Sequence, residues 1–193
     1  SYAMLKLRIA VSVCLLTLLV FLLLNQTNQE ESALVSAQNS LLQQASDYYI
    51  TNMVSTHFDA KGQPNYQLAA SRVTHFLAGD ISQMETPRFT YYRATGLPWI
   101  VTADTGNLQT DVLRSEDLLQ LAKKVSLHKG LTDNKFMQVD TTNMLVFPAS
   151  REVSTNQPVT LTTEDSYLES AGMRAMLDTD KIELLTQVRG YHD

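Results

Sequence analysis

The sequence predicts an all-β fold, an antiparallel sandwich or open barrel, carried behind one N-terminal membrane-spanning helix. Three observations lead there. An uninterrupted apolar run fills Ile9–Leu24, and the chain beyond it is built of short period-two segments rich in β-branched and aromatic residues. Turn signals punctuate those segments about every 8–17 residues, a spacing that suits antiparallel sheets rather than βαβ units.

The apolar run IAVSVCLLTLLVFLLL holds no charge, Gly or Pro. With Leu5 and Leu7 it approaches the roughly 20 residues that cross about 30 Å of hydrocarbon as a helix. Lys6 and Arg8 precede it, and the first charges after it are Glu30 and Glu31. The positive-inside rule therefore puts the N-terminus in the cytoplasm and the rest of the chain outside. A cleavable signal peptide is the rival reading. Its apolar core would be only about 7–15 residues long, and the small-residue stretch Val35-Ser36-Ala37 lies well beyond Leu24, past two glutamates. A retained anchor is favoured. Cys14, the only cysteine, lies within it, so the exported part has no disulfide and depends on packing.

The expected organisation is a cloning remnant at 1–3, a transmembrane helix at 4–24, a linker at 25–46 and an exported β-domain at 47–193. In the linker, Leu34, Ala37, Leu41 and Ala45 recur at helical spacing, which fits either a short amphipathic helix or a flexible tether. Residues 47–193 suffice for one domain with its own core. Lys6, Arg8, Glu30 and Glu31 cancel, so this part carries the whole formal charge of −5. It has no basic cluster, which argues against a nucleic-acid partner.

Strands are expected at Tyr66–Ala70 after the turn Lys61–Pro64, at Arg88–Tyr92 before the turn Ala94–Pro98, and at Trp99–Ala103 before a turn at Asp104–Asn107. Period-two pairs continue with Leu119 and Leu121, Val125 and Leu127, Met137 and Val139. Val159–Thr162, Met173–Leu177 and Ile182–Leu184 complete the set. Ser115–Lys124 reads as strand, with a Ser-capped helical turn as its competitor. Three segments, VTADTGNLQ, QVDTTNMLV and AMLDTDKIEL, each set an Asp-Thr pair between apolar residues. They read as turn punctuation, or as a stack of similar hairpins in a solenoid or jelly roll.

The chain offers little to a catalytic reading. His57, His75, His128 and His192 have no partner at metal-ligand spacing, and each reads as a surface or turn residue. No GxSxG, SxxK, HExxH or Gly-rich phosphate loop occurs, and Glu164-Asp165 reads as a solvated loop. No enzyme, metal or cofactor is expected. What stands out is the supply of large apolar residues in short strands. They form either a closed core or a sandwich that opens to take a lipid between its sheets, and core and binding positions share the same pattern.

Taken in order, these segments are similar to the LptC family. The residues that carry the resemblance are the N-terminal anchor, Phe58-Asp59-Ala60-Lys61-Gly62 followed by Tyr66–Ala70, Thr86-Pro87, Leu97-Pro98-Trp99-Ile100-Val101-Thr102-Ala103-Asp104, and Ser170-Ala171-Gly172-Met173-Arg174. The resemblance implies an open, twisted, OstA-like β-jelly roll in the periplasm, held to the inner membrane by a single span. It further implies transfer of lipopolysaccharide, through its lipid A moiety, from the LptF–LptG transporter driven by the LptB ATPase to the soluble protein LptA. Related domains often carry a Gly before the Val of this strand pair. Here the segment reads Leu119-Gln120-Leu121-Ala122-Lys123-Lys124-Val125, a departure that leaves the hairpin there open.

Under that resemblance, strand parity gives Leu68, Phe89, Tyr91, Trp99, Val101, Val139 and Ile182 as groove residues. A one-residue slip would invert the assignment. Strand edges would join successive carriers by β-augmentation. Tyr49, Met53 and Phe58 are expected on the edge facing the transporter, and the transmembrane helix either docks beside the transporter's helices or only anchors the chain. Gly172, Met173, Ala175, Leu177 and Leu184 are expected on the edge facing LptA. The rival functions are a closed-core adaptor that only holds partner proteins and, behind it, an anchored periplasmic hydrolase.

Overall fold

A computed structural model of the chain describes residues 48–131 and 135–192. The expected span, the linker and Cys14 lie outside the described residues, within which no helix is long and apolar enough to cross a membrane. Every regular element described is a strand: β1 (Tyr48–Phe58), β2 (Pro64–Phe76), β3 (Ile81–Glu85), β4 (Arg88–Tyr91), β5 (Trp99–Thr102), β6 (Thr105–Asp111), β7 (Glu116–Gly130), β8 (Phe136–Phe147), β9 (Glu152–Thr163), β10 (Ser166–Met176), β11 (Lys181–Leu184) and β12 (Arg189–His192). They join into one antiparallel sheet. The all-β expectation holds, and Ser115–Lys124 falls on a strand rather than a helical turn, with β7 beginning at Glu116.

The long strands pair differently along their two halves. On one edge of β2, Tyr66–Ala69 pairs with β4, while Arg72–Phe76 pairs with β3. On β7, Glu116–Ala122 pairs with β6, while Ser126–Lys129 pairs with β5. β10 likewise takes β12 along its first half and β11 along its second. The sheet therefore runs as two lanes, one through β3 and β6 and the other through β4 and β5. Buried side chains from both lanes form one apolar cluster, so the lanes fold over a common interior, as in a jelly roll.

The line between the lanes is a crease with identifiable causes. Asn52 in β1, Lys123 and Lys124 in β7, and Gly172 in β10 have positive φ. The ladders shift register at Ala122/Val125, Asp140/Leu145 and Ala171/Met173. Such one-residue bulges bend a strand and increase its twist. Between them, Thr86 and Asp104 turn the corners from β3 to β4 and from β5 to β6. Thr86 N donates to Asp104 O at 2.9 Å, and Asp104 N donates to Lys123 O at 2.9 Å.

The crease corrects two expectations. Asp104–Asn107 is not a reversal: the chain corners at Asp104 and runs directly into β6. Of the three Asp-Thr segments, the first spans this corner, the second lies within continuous β8, and only the third contains a reversal, between β10 and β11. They are not a stack of hairpins. His57, His75 and His128 lie on strands and none is buried, in keeping with surface positions; His57 stacks on Tyr66 at 4.3 Å and His75 on Tyr48 at 5.0 Å.

Candidate functional site: an apolar interior with two open edges

Each lane turns its period-two apolar residues inward. Leu68, Phe89, Tyr91, Trp99, Val101 and Val139 all lie in the buried cluster, and Ile182 packs against it. The seven residues expected to face a groove thus share one interior. Sequence reasoning missed much of the opposing wall. Leu119, Leu121, Val125 and Leu127 of β7, Met144 and Val146 of β8, and Val153 of β9 are equally enclosed. Their signal was present as period two, but the crease changes its phase. Inward residues of β8 are odd-numbered at Met137 and Val139, then even-numbered at Met144 and Val146. Around Trp99 and Val101, both 0% exposed, the interior is closed to solvent.

It loosens towards β1. There a cavity of about 110 Å³ is lined by Met53, Ser55, His57, Tyr66, Leu68, Phe89, Leu108, Asp117, Leu119 and Pro148, which belong to both lanes and the β8–β9 turn. That is less than the roughly 150 Å³ of a cavity that accepts benzene, so an acyl chain would need the lanes to part. Burial first, and the Asp117 carboxylate second, push the Tyr66 phenol above its ordinary value. Beyond the cavity the apolar lining continues into solvent. Tyr48 and Ile50 pair with His75 and Val73, and Val73 is buried, so both stand on the inward side. They are nevertheless 54% and 45% exposed.

Among the described residues β1 pairs only with β2, and no described strand covers its other edge. Tyr49 and Phe58 are exposed on this strand, as is Val54, while Met53 turns in against the core. The opposite end corrects the expected LptA-facing edge. β10 is not an outer strand, because β9 covers one side and β11 and β12 cover the other. Met173, Ala175 and Leu177 are core residues. Gly172 does not begin an edge but forms the β10 bulge at φ +98°, where an added Cβ would lie 3.1 Å from both Leu185 Cδ1 and Thr155 O. The outer strands are β11 and β12, and of the expected set only Leu184 lies there, turned towards the core with Ile182.

One polar cluster interrupts the interior. Trp99 of β5 and Lys129 of β7 are direct cross-strand partners. Both reach Asp180, which lies in the β10–β11 turn at φ +56°. Asp180 Oδ1 accepts from Trp99 Nε1 at 3.0 Å and from Lys129 Nζ, while Oδ2 accepts from Arg93 Nη1. Arg93 Nη2 also donates to the Asp178 carbonyl at 3.1 Å. Burial opposes ionisation of Asp180, but hydrogen bonds from Lys129 and Trp99 and the charges of Lys129 and Arg93 outweigh it. Its carboxyl is held below the ordinary 3.8.

Comparison with known proteins bears on this architecture. The chain matches the family described as "Lipopolysaccharide-assembly, LptC-related" over residues 11–193. Among solved structures it is similar to LptH of Pseudomonas aeruginosa, described as the LptA homologous periplasmic component of the conserved lipopolysaccharide transport device. The TM-score is 0.51 at 8% identity, with 66% of this chain and 94% of that chain covered, a likeness of fold. No curated protein matches the sequence.

Proposed function

This chain belongs to the LptC-related lipopolysaccharide-assembly family, and from that premise we propose that it is a non-enzymatic bridge passing lipopolysaccharide between protein partners. The family and the LptA-like fold support a role in lipopolysaccharide transport. In this reading the run at Ile9–Leu24 anchors the chain in the inner membrane, with the β-domain in the periplasm. β1 meets the LptF–LptG transporter powered by LptB, and β11 and β12 meet LptA.

The observation that carries the reading is an apolar interior reaching from the uncovered Tyr48 and Ile50 at one edge strand to Ile182 and Leu184 at the other. An acyl chain of about a dozen methylenes costs on the order of 10 kcal/mol to expose to water, at about 0.8 kcal/mol each. A lipid relay therefore needs a continuous apolar path and no nucleotide site of its own. Free strand edges, otherwise an aggregation hazard, would extend that path from carrier to carrier.

The complete burial of Trp99 and Val101 favours a second reading, in which the core stays closed and the domain only holds partners together. Reconstitution separates the two. Vesicles containing lipopolysaccharide, the transporter and the full chain should load soluble LptA in an ATP-dependent manner. Equal loading without the chain would remove the bridging role. Loading that requires the chain, with no lipid ever on it, would favour the adaptor.

A further inference from the structure

Lys129 is the most enclosed cation among the described ion pairs, its side chain only 7% exposed. Burying an ammonium demands an anion beside it, and the one it has comes from the other lane of the fold, on a turn. Three donors of the β4–β5 lane (Lys129 Nζ, Trp99 Nε1 and Arg93 Nη1) converge on that single carboxylate. Asp180 itself is far less enclosed, its side chain 37% exposed.

The surroundings are cation-rich. Arg151 lies 3.8 Å from Asp178, so Arg93, Lys129 and Arg151 stand against Asp178 and Asp180. Inward of this cluster, Val101 and Leu127 continue the same two strands as fully buried apolar wall. The arrangement is amphiphilic: apolar wall on one side and an anion-binding group of donors at its end.

We propose that Lys129, Arg93 and the Trp99 indole N–H form a subsite for a phosphate monoester on the head of the carried lipid, held by the Asp180 carboxylate until the lipid displaces it. The inference rests on the lipid-carrier reading above. A phosphate brings close to two negative charges and three acceptor oxygens, so it satisfies the converging donors at least as well as a carboxylate does. Displacing Asp180 also releases the β10–β11 turn from β5 and β7, coupling head-group capture to the parting of the lanes that an acyl chain requires.

The chain contains a single tryptophan, so fluorescence of the full-length protein in neutral detergent micelles reports on Trp99 alone. The probes are phosphorylated lipid A, the same lipid without its phosphates, and inorganic phosphate at matched ionic strength. Phosphorylated lipid A should bind about five-fold more tightly than the dephosphorylated form, the scale of one partly screened ion pair. Asp180→Asn should tighten binding of the phosphorylated lipid only. Lys129→Gln should erase the preference between the two lipids, and so should Arg93→Gln, which leaves the buried lysine in place should the first variant not fold. Equal binding of both lipids, unaltered by Asp180→Asn, would overturn the subsite and leave the carrier reading standing. A full response to inorganic phosphate alone would overturn its assignment to a lipid head. Binding of neither lipid would defeat the carrier reading and the subsite together.

Discussion

The indole N–H of Trp99 donates to the Asp180 carboxylate at 3.0 Å, tying strand β5 of one lane to the β10–β11 turn of the other. Asp180→Ala removes that acceptor and leaves Lys129 buried without its partner. Because the carboxylate is 37% exposed, solvent screens part of the effect. A loss of about 1–2 kcal/mol is expected by thermal or urea unfolding.

The same carboxylate makes a pH signature. Its folded pKa is depressed, so its contribution is present above the unfolded value, about 3.9, and is lost as pH falls through the lower folded value. Wild type should exceed Asp180→Asn in stability at pH 7, and the gap should close progressively below about pH 4. Unfolding curves at neutral and acidic pH check this. A gap that widens on acidification would contradict the pairing.

Gly172 occupies a left-handed bulge, and a Cβ there would press on Leu185 and on the Thr155 carbonyl. Gly172→Ala should lower stability by about 1–3 kcal/mol. Gly172→Arg should act first on the β10 bulge and only secondarily on any partner, so a weakened LptA contact should come with a lowered Tm. An unchanged Tm would return Gly172 to the role of an interface residue.

At the β7 bulge, Lys123 and Lys124 both have positive φ, which a lysine adopts at a cost of about 1 kcal/mol. Lys124 Nζ lies 3.5 Å from Asp104, but the lysine side chain is 86% exposed and the pair contributes little. Lys124→Gly should therefore leave stability unchanged or raise it by up to about 1 kcal/mol. A lower Tm would indicate that the lysine side chain holds the crease.

The edge strand β1, whose outer side no described strand covers, presents Val54 and Phe58, both exposed. Lysines at these positions should weaken co-purification with the transporter, since charged edges discourage strand addition. Stability should move by less than about 0.5 kcal/mol, as expected for exposed positions. Undiminished co-purification would place the transporter contact elsewhere.

Much of this architecture was legible in the sequence because period-two runs such as Trp99–Ala103 or Tyr66–Ala70 fix which side chains share a face. What the sequence hid was the crease. Left-handed residues at Asn52 and Gly172 and the register shift of β8 between Asp140 and Leu145 change the phase within long strands, so parity could be read over five residues but not over twelve. The corner at Asp104 has the composition of a turn, and β6 behind it was lost to that reading. The outermost strands were misjudged for a related reason. β11 is only four residues long and β12 has almost no apolar signal, so β10 passed for the edge. The Trp99–Lys129–Asp180 cluster has no local signature, because it joins residues brought together only by folding one lane over the other.

The most direct measurement is photocrosslinking in cells with a photoreactive residue at Phe89 or Val101, both enclosed between the lanes, and a control at the exposed Lys61 in the β1–β2 turn. If lipopolysaccharide passes through the interior, adducts form at Phe89 and Val101 and not at Lys61. Their absence from the inward positions, in a folded and membrane-inserted protein, would contradict a lipid path through the fold.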